Sequence, residues 1–333
     1  MDSGMAFIVS IIAVALIFDF INGFHDAANS IATIVSTRVL RPNVAVLWAA
    51  FFNFVAFLVF ELKVANTIGR GVIDPSIVDP EVILSALVGA IVWDLVTWWY
   101  GIPSSSSHAL IGGLGGAAVA KAGVYSLNIG GIAKIGVSII LSPVFGFILA
   151  FIFMALASRM LFRATPRMVD RWSRRIQLVS ASLYSLGHGG NDAQKTMGII
   201  AVLLFQTGMM GETFGVPLWV VLSCHGAMGL GTLFGGWRIV KTMGMKITKL
   251  KPIGGVCAET AGAITLFVAT GLGIPVSTTH TISGSIMGVG SFTKFSAVRW
   301  GVAKNIVWAW ILTIPASAFV AGFSWWILHL LNF

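Results

Sequence analysis

The sequence predicts an all-α polytopic membrane protein made of two inverted-topology repeats, with broken helices and two re-entrant hairpins. Three observations predict it. Of 333 residues, 57% are hydrophobic and only 10% are charged, where a soluble domain carries about 25% charged residues. Two motifs recur, in the same order, in the two halves of the chain. Basic residues gather in alternate loops, the segregation that sets the orientation of membrane spans.

The elements follow in chain order. Apolar stretches at 5–18, 135–157 and 305–331 reach or approach the roughly 20 residues needed to cross a bilayer. The first half reads as a broken span over 5–37, a span over 43–62, a unit over 81–121 broken at 101–107, and a span over 131–158. The second half reads as spans over 176–206 and 217–238, a unit over 252–290 broken at 273–279, and a span over 304–331. The first repeat thus covers 1–158 and the second 176–333, with an Arg-rich cytoplasmic link over 159–175. The chain begins Met-Asp-Ser with no basic residue before the apolar run, and no small-residue cleavage site follows, so the first segment is expected to stay. Cys224 and Cys257 both lie in apolar segments, and no stabilising disulfide is expected.

The duplication rests on three pairs. "FHDAANSIATIV" (24–35) resembles "GNDAQKTMGII" (190–200), setting Asp26 opposite Asp192 at an offset of 166. "GIPSSSSHALIGG" (101–113) resembles "GIPVSTTHTISGS" (273–285), setting His108 opposite His280, and Pro143 pairs with Pro315, both at an offset of 172. Such repeats are common in secondary transporters. If each Gly-Ile-Pro unit is a re-entrant hairpin, every half has three true crossings, and an odd number turns the second half over.

The charges favour that reading. With the Arg-rich link in the cytoplasm, Arg38, Arg41, the six arginines of 159–175, the five basic residues from Arg238 to Lys251, and Lys294, Arg299 and Lys304 all lie inside. Only Lys63, Arg70, Lys121 and Lys134 lie outside, among Asp2, Glu61, Asp74, Asp79, Glu81 and Glu212. Full crossings would move Arg38 and Arg41 outside and weaken the bias. Both termini are then outside, and the net charge of +9 reflects topology rather than a nucleic-acid partner.

The Gly-Ile-Pro breaks carry anion chemistry. Proline disfavours helix in the residue before it, so the incoming helix should stop near Tyr100. A new helix can start at the serines, which cap well. Its first amides lack helical partners and the dipole adds partial positive charge, which makes an anion seat. Ser105, Ser106 and Ser107 form one such seat and Ser277, Thr278 and Thr279 the other. A lone Ser-Ser pair would be read as helix packing; four serines matched by Ser-Thr-Thr favour function.

A second break in each half is expected where the polar motifs fall: Asn22, His25, Asp26 and Asn29 in one, Asn191, Asp192, Gln194 and Lys195 in the other. A carboxylate within the bilayer costs roughly 2.5 kcal/mol or more and marks a functional site by default. Asp26 and Asp192, flanked by amide oxygens, suit a sodium ion or a proton, with Asn22, Asn191 and Glu259 as supporting ligands. Lys195 offsets an acid or contacts the anion, and Asn29 and Gln194 join it there. The structural alternative, an Asp192–Lys195 ion pair, leaves Asp26 unpaired. Asp19, Asp94 and Glu259 are candidate proton relays or neutral buried acids. His25, His108, His188 and His280 cluster at the breaks, each more often structural than a ligand; His225 and His329 have no assignment.

At these motifs the chain resembles the inorganic phosphate transporter (PiT) family of secondary transporters, in its bacterial form. The likeness lies in "NGFHDAANSIATIVSTR" (22–38), "GIPSSSSHALIGG" (101–113), "GHGGNDAQKTMG" (187–198) and "GIPVSTTHTISGS" (273–285), so it covers both halves. The resemblance implies phosphate import across the cell membrane, driven by sodium or protons, inverted repeats, a homodimer in the lipid bilayer, and no cofactor beyond the co-transported H+ or Na+. One departure matters. Sodium-coupled eukaryotic relatives carry a glutamate in the second span, where this chain has Asn53. That loss tilts the expectation toward protons, with phosphate carried as a neutral metal complex as in similar bacterial members. Some members are sulfate permeases, which keeps sulfate as the alternative anion.

Two other classes fit the residues less well. "GGNDAQKT" (189–196) looks like a nucleotide-binding P-loop, but Gln194 stands where that motif requires glycine. An intramembrane hydrolase would pair Ser104 with His108, four apart on a helix; the second copy offers no matching pair, and a hydrolase needs no inverted repeat.

Overall fold

The computed structural model describes residues 3–331 apart from Glu212. Asp2 and Glu212, expected among the outer charges, lie outside the described residues, as does the side chain of Arg70. The described chain is helical: α1 Ser3–Ser36, α2 Pro42–Val55, α3 Lys63–Gly71, α4 Pro80–Tyr100, α5 Ser106–Ala122 and α6 Ile129–Met160, then α7 Pro166–Gln206, α8 Leu218–Phe234, α9 Trp237–Lys241, α10 Pro252–Gly271, α11 Thr278–Thr293 and α12 Trp300–Leu330. α1, α4, α6, α10 and α12 are each long and apolar enough to cross a membrane, and the bent pairs α2–α3 and α8–α9 add two candidate spans.

Helix starts are written locally. Pro42, Pro80, Pro166 and Pro252 stand at first helical positions, where the missing N–H costs nothing. Asp79 caps α4 by accepting from Val82 N at 2.8 Å. Thr165 caps α7 from Met168 N. That cap draws most of the predicted Arg-rich link into helix, so only residues 161–165 separate the halves.

The breaks are not all where the motifs suggested. α1 and α7 run unbroken through Asp26 and Asp192. The glycines of α7 serve approach rather than bending: a Cβ on Gly189 would lie 2.4 Å from Asn53 O, and one on Gly190 2.1 Å from the Phe60 ring. The second break of each half falls instead in its second unit. α2 with its terminal turn bends by 84° into α3, and α8 bends by 61° into α9.

The duplication extends to these bends. Gly101 ends α4 with φ 65°, and its mate Gly273 follows α10 with φ 66°; both lie in the left-handed region that glycine enters without strain. Thr242 Oγ1 donates to Gly101 O at 2.9 Å and Thr67 Oγ1 to Gly273 O at 2.7 Å. A Cβ on Gly101 would meet Arg238 and one on Gly273 would meet Lys63. Each elbow therefore docks on the bend of the opposite half.

The Gly-Ile-Pro units are hairpins with an extended return. Gly113 of α5 sits against the Ala86 carbonyl of α4. Ala86 lies about 21 Å of helix before Tyr100 and Gly113 about 11 Å of helix after Ser106. The difference is about the length of the four extended residues 102–105. α4 thus runs about 31 Å, the chain turns at Gly101 and retraces to mid-depth, and α5 starts there.

α6 shows that the hairpins enter from opposite sides. Its start adjoins the open end of the first hairpin, where Asn128 N donates to Val72 O and Gly131 packs on the Gly71 carbonyl. Further along, Ser138 Oγ donates to Pro275 O at 3.2 Å, at the second hairpin's tip. Beyond that, the Pro143 and Phe147 carbonyls receive Gly284 and Gly288 of α11, where Cβ atoms would stand 2.2 Å away. α12 repeats the pattern on the first hairpin: Trp310 Nε1 donates to Pro103 O at 3.0 Å, and Gly112 and Gly116 of α5 sit on the Ile314 and Ala318 carbonyls. Each hairpin is thus clasped by the last helix of the other half, through the small-residue spacing that brings membrane helices close.

Candidate functional site

The two hairpin tips meet. Ser105 caps α5 by accepting from His108 N at 3.3 Å, and Ser277 caps α11 by accepting from His280 N at 3.1 Å. The amides of Ser106, Ser107, Thr278 and Thr279 are the first of their helices and have no helical acceptor. The His108 and His280 rings meet edge to face with centroids 4.6 Å apart, and His280 stacks on Trp310 at 3.7 Å. All six predicted seat residues are buried. Two positive helix ends thus face one small volume, which suits an anion.

α1 and α7 bring the acids to that place. Asn29 Nδ2 donates to Thr278 Oγ1 at 3.1 Å and to Thr279 Oγ1 at 2.9 Å. Thr278 Oγ1 donates to Asp192 Oδ2 at 2.8 Å, and Thr279 Oγ1 lies 3.4 Å from Asp26 Oδ2. Lys195 Nζ donates to Ser107 Oγ at 2.5 Å, to Val276 O at 2.7 Å, and to Asp192 Oδ1. Asp26 is paired with His25, whose Nδ1 is 2.6 Å from Oδ1. Asp26, His188 and Asp192 present ligand atoms within 4.8 Å of one another, close enough to ligate one cation.

Three predicted ligands lie elsewhere. Gln194 does not reach the seat: its Oε1 accepts from Val64 N at 3.0 Å and Ala65 N at 3.3 Å, and its Nε2 donates to Glu61 O and Gly190 O. It caps α3, supplying the acceptors that a helix start needs. Asn191 is spent on the second elbow, bonding Thr270 Oγ1, Ile274 O and Val276 N. Glu259 sits apart, accepting from Thr33 Oγ1 at 2.6 Å, Gln177 Nε2 at 2.9 Å and Ser180 Oγ at 2.5 Å. Asn22 and Asp19 lie buried on α1, and the oxygens of both are without a hydrogen-bonding partner among the described residues. The Ser104–His108 pair does not form, because Ser104 Oγ bonds Thr97 Oγ1 at 2.7 Å while His108 faces His280.

Residues 22–321 match the phosphate transporter family. The chain belongs to that family. Curated relatives with the same span include a probable low-affinity inorganic phosphate transporter of Rhizobium meliloti (strain 1021), 64% identical over 97% of each chain. One of Bacillus subtilis (strain 168) with the same description is 46% identical over 99% of this chain and 100% of the relative. A solved structure described as the sodium-dependent phosphate transporter superposes with a TM-score of 0.89 at 26% identity, covering 98% of this chain and 99% of that one.

This phosphate transporter family member also has site residues with no assigned role in the sequence motifs. Tyr184 OH donates to Thr278 O at 3.0 Å, bracing the second tip. Thr97 bonds both Ser104 and His25, whose Nε2 lies 3.1 Å away, and so ties the first tip to Asp26. Asn53 Oδ1 lies 3.1 Å from His188 Nδ1, and His188 Nε2 is 3.3 Å from Asp192 Oδ2. Position 53 therefore acts on the centre through an imidazole. Thr33, Gln177 and Ser180 enclose Glu259. Single polar residues on long helices carry no local signal of this kind; for Thr33 the one available signal is its place seven residues from Asp26, on the same face of α1.

Proposed function

We propose that this chain imports inorganic phosphate across the cell membrane as a secondary symporter, by alternating access around the midplane centre. The observation that carries the reading is the convergence of two oppositely inserted helix starts beside Asp26 and Asp192. Ser105, Ser106, Ser107, Ser277, Thr278 and Thr279 surround the anion with hydroxyl and backbone donors, and Asn29 positions Thr278 and Thr279 there. Asp26 and Asp192 hold the coupling cation, and Glu259 lies on its path to the cytoplasm. A proton is the coupling ion, because position 53 offers a neutral amide to His188 rather than a carboxylate. The clustering of basic residues supports a cytoplasmic 161–165 loop and outer termini. Assembly as a homodimer follows the family resemblance.

Phosphate is favoured over sulfate on chemical grounds. Near neutral pH phosphate keeps a proton that can be donated to a carboxylate, whereas sulfate would leave Asp26 or Asp192 without that donor. Sites built around such a bond discriminate by large factors. The test is uptake of labelled phosphate into proteoliposomes under separately imposed proton and sodium gradients. A proton gradient should drive concentrative uptake, Asp26→Asn should insert but fail to concentrate phosphate, and excess sulfate should not compete. Uptake that follows neither gradient, or concentrative uptake by Asp26→Asn, overturns the reading.

A further inference from the structure

The two halves of the centre are not chemically equal. Asn29 and Lys195 stand at mated positions, 166 residues apart, one on α1 and one on α7. Each contacts a hairpin tip: Asn29 the second, Lys195 the first. Asn29 keeps a buried Oδ1 with no partner among the described residues. In the place where Asn29 offers an oxygen, the second half inserts an ammonium.

That ammonium is held as a metal ion would be held. An ammonium has three donors and no acceptor, and all three are taken: by the hydroxyl of Ser107, the carboxylate of Asp192 and the main-chain carbonyl of Val276. These acceptors come from three separate elements, the two hairpin tips and α7. All three donors are used within the protein, so of the two roles expected for Lys195 the geometry favours the offset of an acid over direct contact with the anion. Among the described residues no other lysine or arginine is buried. A charge this deep is tolerated when it is paired and fully hydrogen-bonded, and breaking such a pair is strongly destabilising.

The geometry points to Lys195 as a tethered cation: its ammonium permanently fills one of two pseudo-symmetric monovalent-cation sites in the centre, so that transport takes one free cation fewer. The inference rests on the phosphate-symport reading. Two carboxylates and a phosphate place at least three negative charges in one buried volume, and each needs a counter-charge before the site can close. Lys195 supplies one such charge covalently and cannot leave with the substrate. The mated place beside Asp26 and Asn29 Oδ1 remains for a travelling cation.

The test uses the full chain in proteoliposomes, with Lys195→Asn, which installs the side chain that the mated position already accepts. Sodium is the probe. Wild-type phosphate uptake at a fixed proton gradient should change less than twofold when sodium replaces choline. Lys195→Asn should lose at least tenfold in choline and recover with rising sodium. Sodium should also raise the thermal midpoint of Lys195→Asn and leave that of the wild type unmoved, since a ligand stabilises only the state that binds it. A folded Lys195→Asn protein indifferent to sodium in both readouts overturns the inference. A wild-type protein whose uptake requires sodium would instead overturn the assignment of the proton as coupling ion, a result needing no variant. Absence of any phosphate uptake by the wild type would instead sink the symport reading itself.

Discussion

The imidazole rings of His108 and His280 meet with centroids 4.6 Å apart although 172 residues separate them in the chain. With both changed to Cys, in a background where Cys224 and Cys257 are Ala, cadmium should bridge the two thiols. Both should then be protected from maleimide, and a chelator should reverse it. Each single variant should react freely. Cadmium that fails to protect the double variant would place the tips apart.

Close approach of the hairpins to α6 and α12 sets a steric prediction. A Cβ on Gly116 would stand 2.1 Å from Ala318 O and one on Gly284 2.2 Å from Pro143 O, while Gly136 has nothing within 4 Å. Gly116→Leu or Gly284→Leu should cost about 3 kcal/mol or more through overpacking. Gly136→Ala should be neutral or stabilising by roughly 0.5–1 kcal/mol. Thermal midpoints in detergent compare the three.

Glu259 and its partners have apolar mates. Positions equivalent to Glu259, Thr33, Gln177 and Ser180 are Leu87, Ile199, Ile11 and Val14, and these pack in or against one apolar cluster. Replacing Glu259 alone by Leu strands three buried polar groups at about 1–3 kcal/mol each. Installing all four apolar mates together should restore stability but leave phosphate uptake at least tenfold down. Normal uptake by the fourfold variant would remove Glu259 from the pathway.

Gln194 and Asn29 should separate by kinetics. Gln194→Ala uncaps α3 and should lower stability by about 1–2 kcal/mol with the KM for phosphate unchanged. Asn29→Ala removes a donor from the seat residues Thr278 and Thr279 and should raise KM. Uptake titrations paired with thermal midpoints read both.

The legible parts of the fold were those written locally. Gly101 and Pro103 stop α4 at Tyr100, and Ser105 starts α5, because glycine conformation, proline sterics and capping need only neighbouring residues. The α2–α3 bend was invisible for the opposite reason. "FLVFELKVAN" (57–66) contains neither proline nor glycine; the free amides of α3 are met by Gln194, 130 residues away. Gly187, Gly189 and Gly190 misled in turn, since they allow Leu266, Asn53 and Phe60 to approach and do not bend α7. At the centre, Asp26, Asp192 and the seat hydroxyls stood out as polar residues in apolar surroundings. The assignments of Gln194 and Asn191 failed because an amide beside an acid in sequence points, on a helix, toward a different neighbour.

The clasp of each hairpin by the opposite half's last helix decides what can move as one piece. α4 and α5 are keyed to α12, and α10 and α11 to α6. Tilting either hairpin must therefore drag a helix belonging to the other repeat. The packing units are crosswise composites rather than the two repeats, and α1 and α7, which carry the acids of the centre, pack against α4 and α10.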